Sequence, residues 1–144
     1  MRMRNIDSIR TWVYLSKNFH LIYAVNQREL RGYGLTTAQF DIIVNLGFRG
    51  PLSQNSLAGY LLVTKGNIST VLKTLEKKGF VRRNSPSADR RMRIVRLTRK
   101  GKHIYEKSVR LHEEKLSSLL SPLSGQERRT LVRILKKLYY KLKK

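Results

Sequence analysis

The first feature of the chain is a helical spacing of apolar residues near its start. From Ile6 to about Arg31, apolar side chains recur at intervals of three and four residues, which is the period of one helical face. The residues that share this face are Trp12, Leu15, Phe19, Ile22 and Val25. The pattern predicts a long first helix that ends at Gly32 and Gly34.

Three helix-start signals follow in close succession. Thr36 and Gln39 have the spacing of a capping box, while Ser53 and Thr64 each stand between apolar residues that can pack across the start of a helix. The three short helices that we predict run from 36 to about 48, from 54 to 61 and from 65 to 78. Because only a tight turn separates the second from the third, the pair is a helix-turn-helix.

The period of the pattern changes after Gly79, which is a typical residue at the end of a helix. Residues 80–84 and 92–97 predict two short strands, and residues 85–89 between them have the composition of a turn. A hairpin that directly follows a helix-turn-helix indicates a winged helix-turn-helix. The expected fold is therefore mainly α with a small β-hairpin wing.

Long amphipathic helices are also predicted in the C-terminal part of the chain. Thr98 can cap a fifth helix, and Ser124 with Glu127 forms a second capping box before a sixth. The apolar stripes of these two helices contain Val109, His112, Leu116, Leu119 and Leu123, and then Leu131, Ile134, Leu135, Leu138 and Leu142. A winged lobe of residues 35–98 does not need these stripes for its own core. We therefore expect one domain over 1–144 in which helices within 1–34 and 99–144 join two copies of the chain as a homodimer.

The net charge of the chain indicates the class of its binding partner. The 144 residues include 31 Lys and Arg but only 9 Asp and Glu, so the formal net charge is +22. Such a balance favours a polyanionic partner, with nucleic acid first and an anionic membrane second. Neither a secretory signal nor a run of about 18 apolar residues is apparent, so we expect a cytoplasmic protein that does not span a membrane.

The third short helix is the first candidate for DNA contact. Its apolar side holds Ile68, Val71, Leu72 and Leu75, and its other side is small, polar and positive. The candidate DNA-binding residues of this helix are Lys65, Gly66, Asn67, Ser69, Thr70, Lys73, Thr74 and Lys77. Short polar side chains can approach base edges, and lysines can reach phosphate. In an isolated helix, this pattern would more often mark a solvent-exposed face. The place of the third short helix between a helix-turn and a charged hairpin favours DNA contact instead.

The predicted hairpin is rich in arginine. Its basic residues are Arg82, Arg83, Arg90, Arg91, Arg93 and Arg96. An arginine at a loop tip can enter a narrow minor groove, where the negative potential is strongest. The single acid among them, Asp89, cannot itself favour DNA, so we expect it to hold the shape of the tip.

Catalytic and metal-binding patterns are weak. The three histidines, His20, His103 and His112, are too far apart in sequence to form a local ligand pair, and no HExxH motif occurs. The absence of cysteine excludes a thiolate metal site and a cysteine nucleophile. We expect no enzymatic activity, no metal site and no cofactor.

Five segments in the right order resemble the multiple antibiotic resistance regulator (MarR) family. The segments are Leu35–Phe40, Leu57–Leu61, Thr64–Val71, Leu75–Arg83 and the stretch from Asp89 to Gly101. The most specific parts are the Leu-Glu-Lys-Lys-Gly run and the Asp-x-Arg wing followed by Leu-Thr-x-x-Gly. The resemblance implies a dimeric transcription regulator, a repressor by expectation, that binds a pseudo-palindromic operator in double-stranded DNA.

The resemblance also implies roles for individual residues. The helix from Lys65 would be the recognition helix, and Asp89 and Arg91 would be the wing pair, with Arg91 in the minor groove. Members of the family often bind a small aromatic or lipophilic effector in a cleft beside the dimerisation helices. The residues that would line it here are Tyr14, Phe19, Tyr23, Phe40, Val44 and Tyr105. The alternative is that these aromatic side chains belong to an ordinary core.

Two other functions are left open by the sequence. A winged domain with a charge of +22 can also be a weakly specific architectural nucleic-acid-binding protein, held by counterion release. The sixth helix, apolar on one side and basic on the other, also fits a protein that lies on a membrane surface. The affinity for an operator relative to random duplex distinguishes the first alternative from a specific regulator.

Overall fold

The computed structural model describes residues 6–61, 65–84 and 93–143. The predicted turn at 85–89, together with Arg90, Arg91 and the cap Thr64, lies outside the described residues. The described chain forms two compact units, one up to Ser108 and the other from Val109 onward.

The order of elements agrees with the sequence-based prediction, with one strand added. The elements are α1 (Ile6–Arg31), α2 (Thr37–Arg49), β1 (Leu52–Ser53), α3 (Gln54–Leu61), α4 (Lys65–Lys77), β2 (Val81–Asn84), β3 (Ile94–Leu97), α5 (Arg99–Leu119) and α6 (Gly125–Leu142). Both predicted capping boxes form, because Thr36 with Gln39 and Ser124 with Glu127 exchange side-chain and backbone hydrogen bonds. The mainly helical winged fold is thus confirmed.

The wing sheet has three antiparallel strands in the order β1-β3-β2. Val95 of β3 lies opposite Leu52 of β1 on one side and Arg83 of β2 on the other. Strand β1 was not predicted, because two residues are too few to show a period and Ser53 already had the features of a helix cap. Ser53 has both roles, since its hydroxyl oxygen also accepts the N–H of Ser56 at 3.0 Å.

The predicted first strand begins one residue late. Phe80 stays outside β2 because its N–H donates to the Leu75 carbonyl, 2.9 Å away, and so helps to end α4. Gly79 adopts a positive φ of 73° at this point, and its own N–H donates to the Glu76 carbonyl. Three residues, 78–80, thus separate the helix from the strand.

The core of the first unit lies in the winged lobe. Apolar side chains of α2, α3, α4 and the wing strands are buried together with one residue from the last turn of α1 and with the residue that precedes the N-cap of α2. The fully or nearly fully buried members are Leu30, Leu35, Phe40, Ile42, Ile43, Leu46, Leu57, Ile68, Leu72, Leu75, Val81 and Val95. This core holds α4 by one face and leaves its opposite face at the surface.

Long apolar stripes stay uncovered in the single chain. Leu30 is the one buried residue among the described residues of α1, whereas Trp12 is 68% exposed and Phe19 is 64% exposed. The described residues of α6 include no buried side chain, and its leucine stripe is exposed as well. The division of the chain into a winged lobe and dimerisation helices stays a prediction.

Candidate nucleic-acid interface

Helix α4 presents two chemically different faces. Ile68, Leu72 and Leu75 are buried, with at most 2% of each residue exposed. The opposite side carries the candidate residues Gly66, Asn67, Thr70, Lys73 and Lys77, all exposed, with Ser69 and Thr74 half-buried at its borders. The backbone of Lys65 begins the helix. The structure thus gathers these predicted residues on one continuous surface.

The two threonines of this face are oriented by the helix itself. The Thr70 hydroxyl donates to the Gly66 carbonyl at 3.3 Å, and the Thr74 hydroxyl donates to the Thr70 carbonyl at 3.4 Å. Each hydroxyl oxygen keeps lone pairs that can accept a hydrogen bond from a base edge. The face therefore combines acceptors near the helix surface with two long cationic side chains.

Helix α4 is joined to strand β2 by an ion pair. The Glu76 carboxylate accepts the backbone N–H of Arg83 at 3.1 Å and the Arg83 Nε–H at 2.9 Å, and it also accepts a terminal guanidinium N–H. Arg83 belonged to the predicted basic cluster of the hairpin, and this was wrong in one respect. Its guanidinium turns to the protein and is neutralised by Glu76, because the register places it beside the end of α4.

The other described arginines of the wing differ in exposure, since Arg82 is exposed whereas Arg96 is half-buried and its Nε is buried. Arg82 lies directly opposite Arg96 across the β2–β3 pair, and Arg93 is exposed just before β3. Arg82, Arg93 and Arg96 form no salt bridge with any residue that the structure describes. Like charges opposite one another destabilise a strand pair, so the wing keeps a positive potential at some cost in stability. Asp89, Arg90 and Arg91 lie outside the described residues.

Comparison with known proteins identifies the family. The MarR family model matches residues 35–92. The HTH-type transcriptional regulator YkoM of Bacillus subtilis is 30% identical over 110 residues, which are 76% of this chain and 71% of YkoM. The chain belongs to the MarR family. It is therefore a MarR-type transcriptional regulator, as the motifs predicted.

Solved structures extend this likeness beyond the matched motif. The S. aureus MepR–DNA complex is similar with a TM-score of 0.82 and 25% identity, covering 91% of this chain and 97% of MepR. Streptococcus pneumoniae FabT in complex with DNA is similar with a TM-score of 0.79 and 27% identity, covering 94% of this chain and 97% of FabT. The MarR-type winged fold thus applies to most of the chain.

A lysine connects the end of α4 to the corner between α1 and α2. The Lys78 ammonium donates to the Gly34 carbonyl and to Gln39 Oε1, the latter at 3.0 Å. The carbonyl of Lys78 in turn accepts from the Lys100 ammonium at 2.9 Å. Sequence analysis missed this junction, because the residues are far apart along the chain and surface lysines have no local signature.

The candidate effector residues lie in different surroundings. Phe19 and Tyr23 stack with ring centroids 5.9 Å apart, and they are exposed, as is Tyr14. In contrast, Phe40 is buried in the core and Val44 is half-buried. The ring of Tyr105 lies so close to Gly47 that an added Cβ would be 2.4 Å from it. The structure thus pairs two of the six residues and gives Phe40 and Tyr105 packing roles.

Two further properties concern metals and membranes. Within residues 6–61, 65–84 and 93–143, no three His, Asp or Glu side chains form a group that could hold a metal ion. In the same part of the chain, no helix is both long and apolar enough to cross a membrane.

Proposed function

We propose that this chain is a homodimeric repressor that binds a pseudo-palindromic operator in double-stranded DNA and is released by a small aromatic or lipophilic effector. The observation that carries the proposal is the exposed polar and positive face of α4, on a helix whose other face is buried. The proposed protein is cytoplasmic and acts without catalysis or a cofactor.

In this proposal the α4 face reads the major groove. Asn67, Ser69, Thr70 and Thr74 are short enough to reach base edges, while the lysines of the same helix contact phosphate or guanine. Gly66 in the first turn allows the backbone to approach a phosphate at the positive end of the helix dipole. The exposure of this face supports the assignment.

The wing supplies a second contact. We assign Arg91 to a narrow minor groove and Asp89 to the support of the wing tip, with Arg90 and Arg93 contacting the adjacent backbone. The exposure of Arg93 and the unneutralised Arg82 at the described edge of the wing support a positive surface that continues from α4.

A second copy of the chain covers the exposed stripes of the long helices in this proposal. The exposure of Trp12 and Phe19 on α1, and of the leucines on α6, supports it, because such apolar surface is costly in water. A two-fold dimer carries two recognition helices, which meet half-sites about 10 base pairs apart. The palindromic operator follows from this symmetry.

The proposed effector would bind to aromatic side chains of α1. Tyr14 and the stacked Phe19 and Tyr23 present aromatic surface on α1, which a flat apolar ligand could cover. A ligand that releases the protein must favour a dimer with wrongly spaced recognition helices, and a coupling of about 1 to 3 kcal/mol lowers DNA affinity roughly 5- to 150-fold.

The test begins with the DNA that co-purifies with the protein, which is sequenced to define an operator. Affinities for this operator and for random duplex are then measured at one salt concentration. Lys73→Ala should weaken binding to both duplexes, because it removes a phosphate contact. It should also reduce by about 1 the slope of the logarithm of affinity against the logarithm of salt concentration. The matched control is Lys137→Ala on α6, which removes the same charge outside the proposed interface and should leave both affinities nearly unchanged.

The salt dependence tests how much of the charge faces DNA. If about eight phosphates are neutralised, the logarithm of the affinity falls with that of the salt concentration with a slope near −7. Equal affinity for operator and random duplex would instead support the architectural alternative. A slope shallower than about −3 would mean that most of the charge lies elsewhere.

A further inference from the structure

We propose that Glu76 is a positioning residue for DNA recognition. Its carboxylate joins α4 to β2 and thereby fixes the wing relative to the recognition helix. The proposal rests on the proposed function, because it assumes that α4 and the wing contact the same DNA.

The geometry of the junction involves both main chain and side chain. One carboxylate oxygen of Glu76 accepts the backbone N–H of Arg83, and the other accepts two guanidinium N–H groups of the same residue. The side chain of Arg83 is only 14% exposed and that of Glu76 is 29% exposed. A contact to the main chain restrains the strand itself, which a contact between two flexible side chains does not.

The position of β2 in the sheet explains why this contact matters. Strand β2 is at the edge of the sheet, paired on one side with β3. The Arg83 N–H therefore has no second strand to bind, and Glu76 satisfies it. Without Glu76, one edge of the wing would lose its anchor to the helix.

The turn between α4 and β2 provides another attachment, next to Val81 of β2, which is buried in the core. There the N–H groups of Gly79 and Phe80 donate to carbonyls in the last turn of α4. This turn determines where β2 begins, and the Glu76–Arg83 contact, seven residues apart in sequence, restrains the direction in which it continues. The contact therefore restrains the angle between α4 and the end of β2 more tightly than the turn and the burial of Val81 do alone.

Charge alone gives the opposite expectation for Glu76. The chain has only nine acidic residues at a net charge of +22, and this one belongs to the DNA-binding lobe. Removing an acid from such a surface strengthens binding to any polyanion by simple electrostatics. If Glu76 positions the wing, its removal instead weakens binding to DNA that the wing contacts favourably.

The experiment compares the wild-type protein and three variants on two operators. The operators share one core sequence and differ in flanks that are A·T-rich or G·C-rich, since a wing arginine favours the narrow groove of A·T-rich DNA. The variant is Glu76→Ala, and the matched control is Glu114→Gln. Glu114 also pairs with an arginine, Arg110, but on the exposed surface of α5 and at 3.8 Å, so its loss changes the charge equally without touching the wing.

We expect Glu76→Ala to lose the preference for A·T-rich flanks by about tenfold, the size of one groove contact, while its preference for the core sequence is kept. Glu114→Gln should keep both preferences. A merely destabilised protein would lose affinity for both operators in the same proportion, through a smaller active fraction. Stoichiometric titration measures that fraction.

Glu76→Gln keeps the size of the side chain and one acceptor oxygen, which can still accept the Arg83 backbone N–H, but its amide nitrogen cannot accept from the guanidinium. This variant should therefore recover only part of the flank preference. It also keeps the test decisive if Glu76→Ala does not fold. A flank preference equal to that of the wild type in Glu76→Ala would overturn the proposal, as would the same result in Glu76→Gln where the alanine variant does not fold. Tighter binding of both variants to both operators would also overturn it. If the wild-type protein itself binds operator no better than random duplex, the proposed function fails, irrespective of how the Glu76 variants behave.

Discussion

The close approach of Gly101 to Phe80 leads to a sharp prediction about stability. Gly101 lies in the first turn of α5, and a Cβ added to it would be 1.9 Å from the Phe80 carbonyl oxygen. That oxygen accepts the backbone N–H of Thr98 at 3.0 Å and the Thr98 hydroxyl at 3.3 Å. The substitution Gly101→Ala therefore pushes the start of α5 away from Phe80, although the hydrogen bonds of Thr98 hold the two segments together.

The size of the effect follows from the overlap. Real Cβ atoms do not come within 3.0 Å of such an atom, so the first turn of α5 must shift by about an ångström. Overpacking of this kind costs about 1 to 3 kcal/mol, and each hydrogen bond lost at Phe80 adds about 1 kcal/mol. The better helix propensity of alanine returns about 1 kcal/mol. We expect a net loss of about 3 kcal/mol in the free energy of unfolding.

Urea unfolding followed by far-ultraviolet circular dichroism, at one protein concentration, measures this loss. The control is Gly59→Ala in α3, where the added Cβ meets nothing within 4 Å and the residue is exposed. That variant should gain about 0.5 to 1 kcal/mol. If Gly101→Ala lies within about 1 kcal/mol of the wild type with an unchanged m value, the packing argument is wrong.

Three further substitutions test a contact between elements, the proposed dimer interface and a helix cap. Lys78→Met removes the ammonium that bonds the corner between α1 and α2, and should lower the unfolding free energy by about 1 to 2 kcal/mol, measured by urea unfolding. Leu135→Lys on the exposed stripe of α6 should give monomers by analytical ultracentrifugation; a dimer of unchanged strength would contradict the proposed interface. Hydrogen bonds from Ser124 hold the pKa of the Glu127 carboxyl below that of an ordinary glutamate. The ionised carboxylate therefore stabilises the fold fully above the ordinary pKa, and this stabilisation is lost as the pH falls through the lowered pKa. The stability difference between wild type and Glu127→Gln should accordingly shrink in acid, as pH-dependent unfolding curves would reveal.

Features of this protein that depend on near neighbours in the chain are predictable from the amino-acid sequence alone. The capping boxes at Thr36 and Ser124 form between residues three apart, so their spacing alone predicted two helix starts that the structure contains. The two faces of α4 likewise follow from a period within one helix. The family motifs are runs of adjacent residues, and the comparisons confirmed the family that they indicated.

Contacts between elements depend on how the chain folds in three dimensions. A two-residue strand such as β1 exists because β3 lies beside it, and no local pattern of two residues can indicate that pairing. Arg83 was indistinguishable in sequence from the exposed arginines of the hairpin until the register of β2 placed it against Glu76. The junctions at Lys78 and Gly101 join segments distant along the chain. Periodicity indicates which side of an element is apolar. The partner of a charged side chain depends instead on which distant segment the fold places beside it.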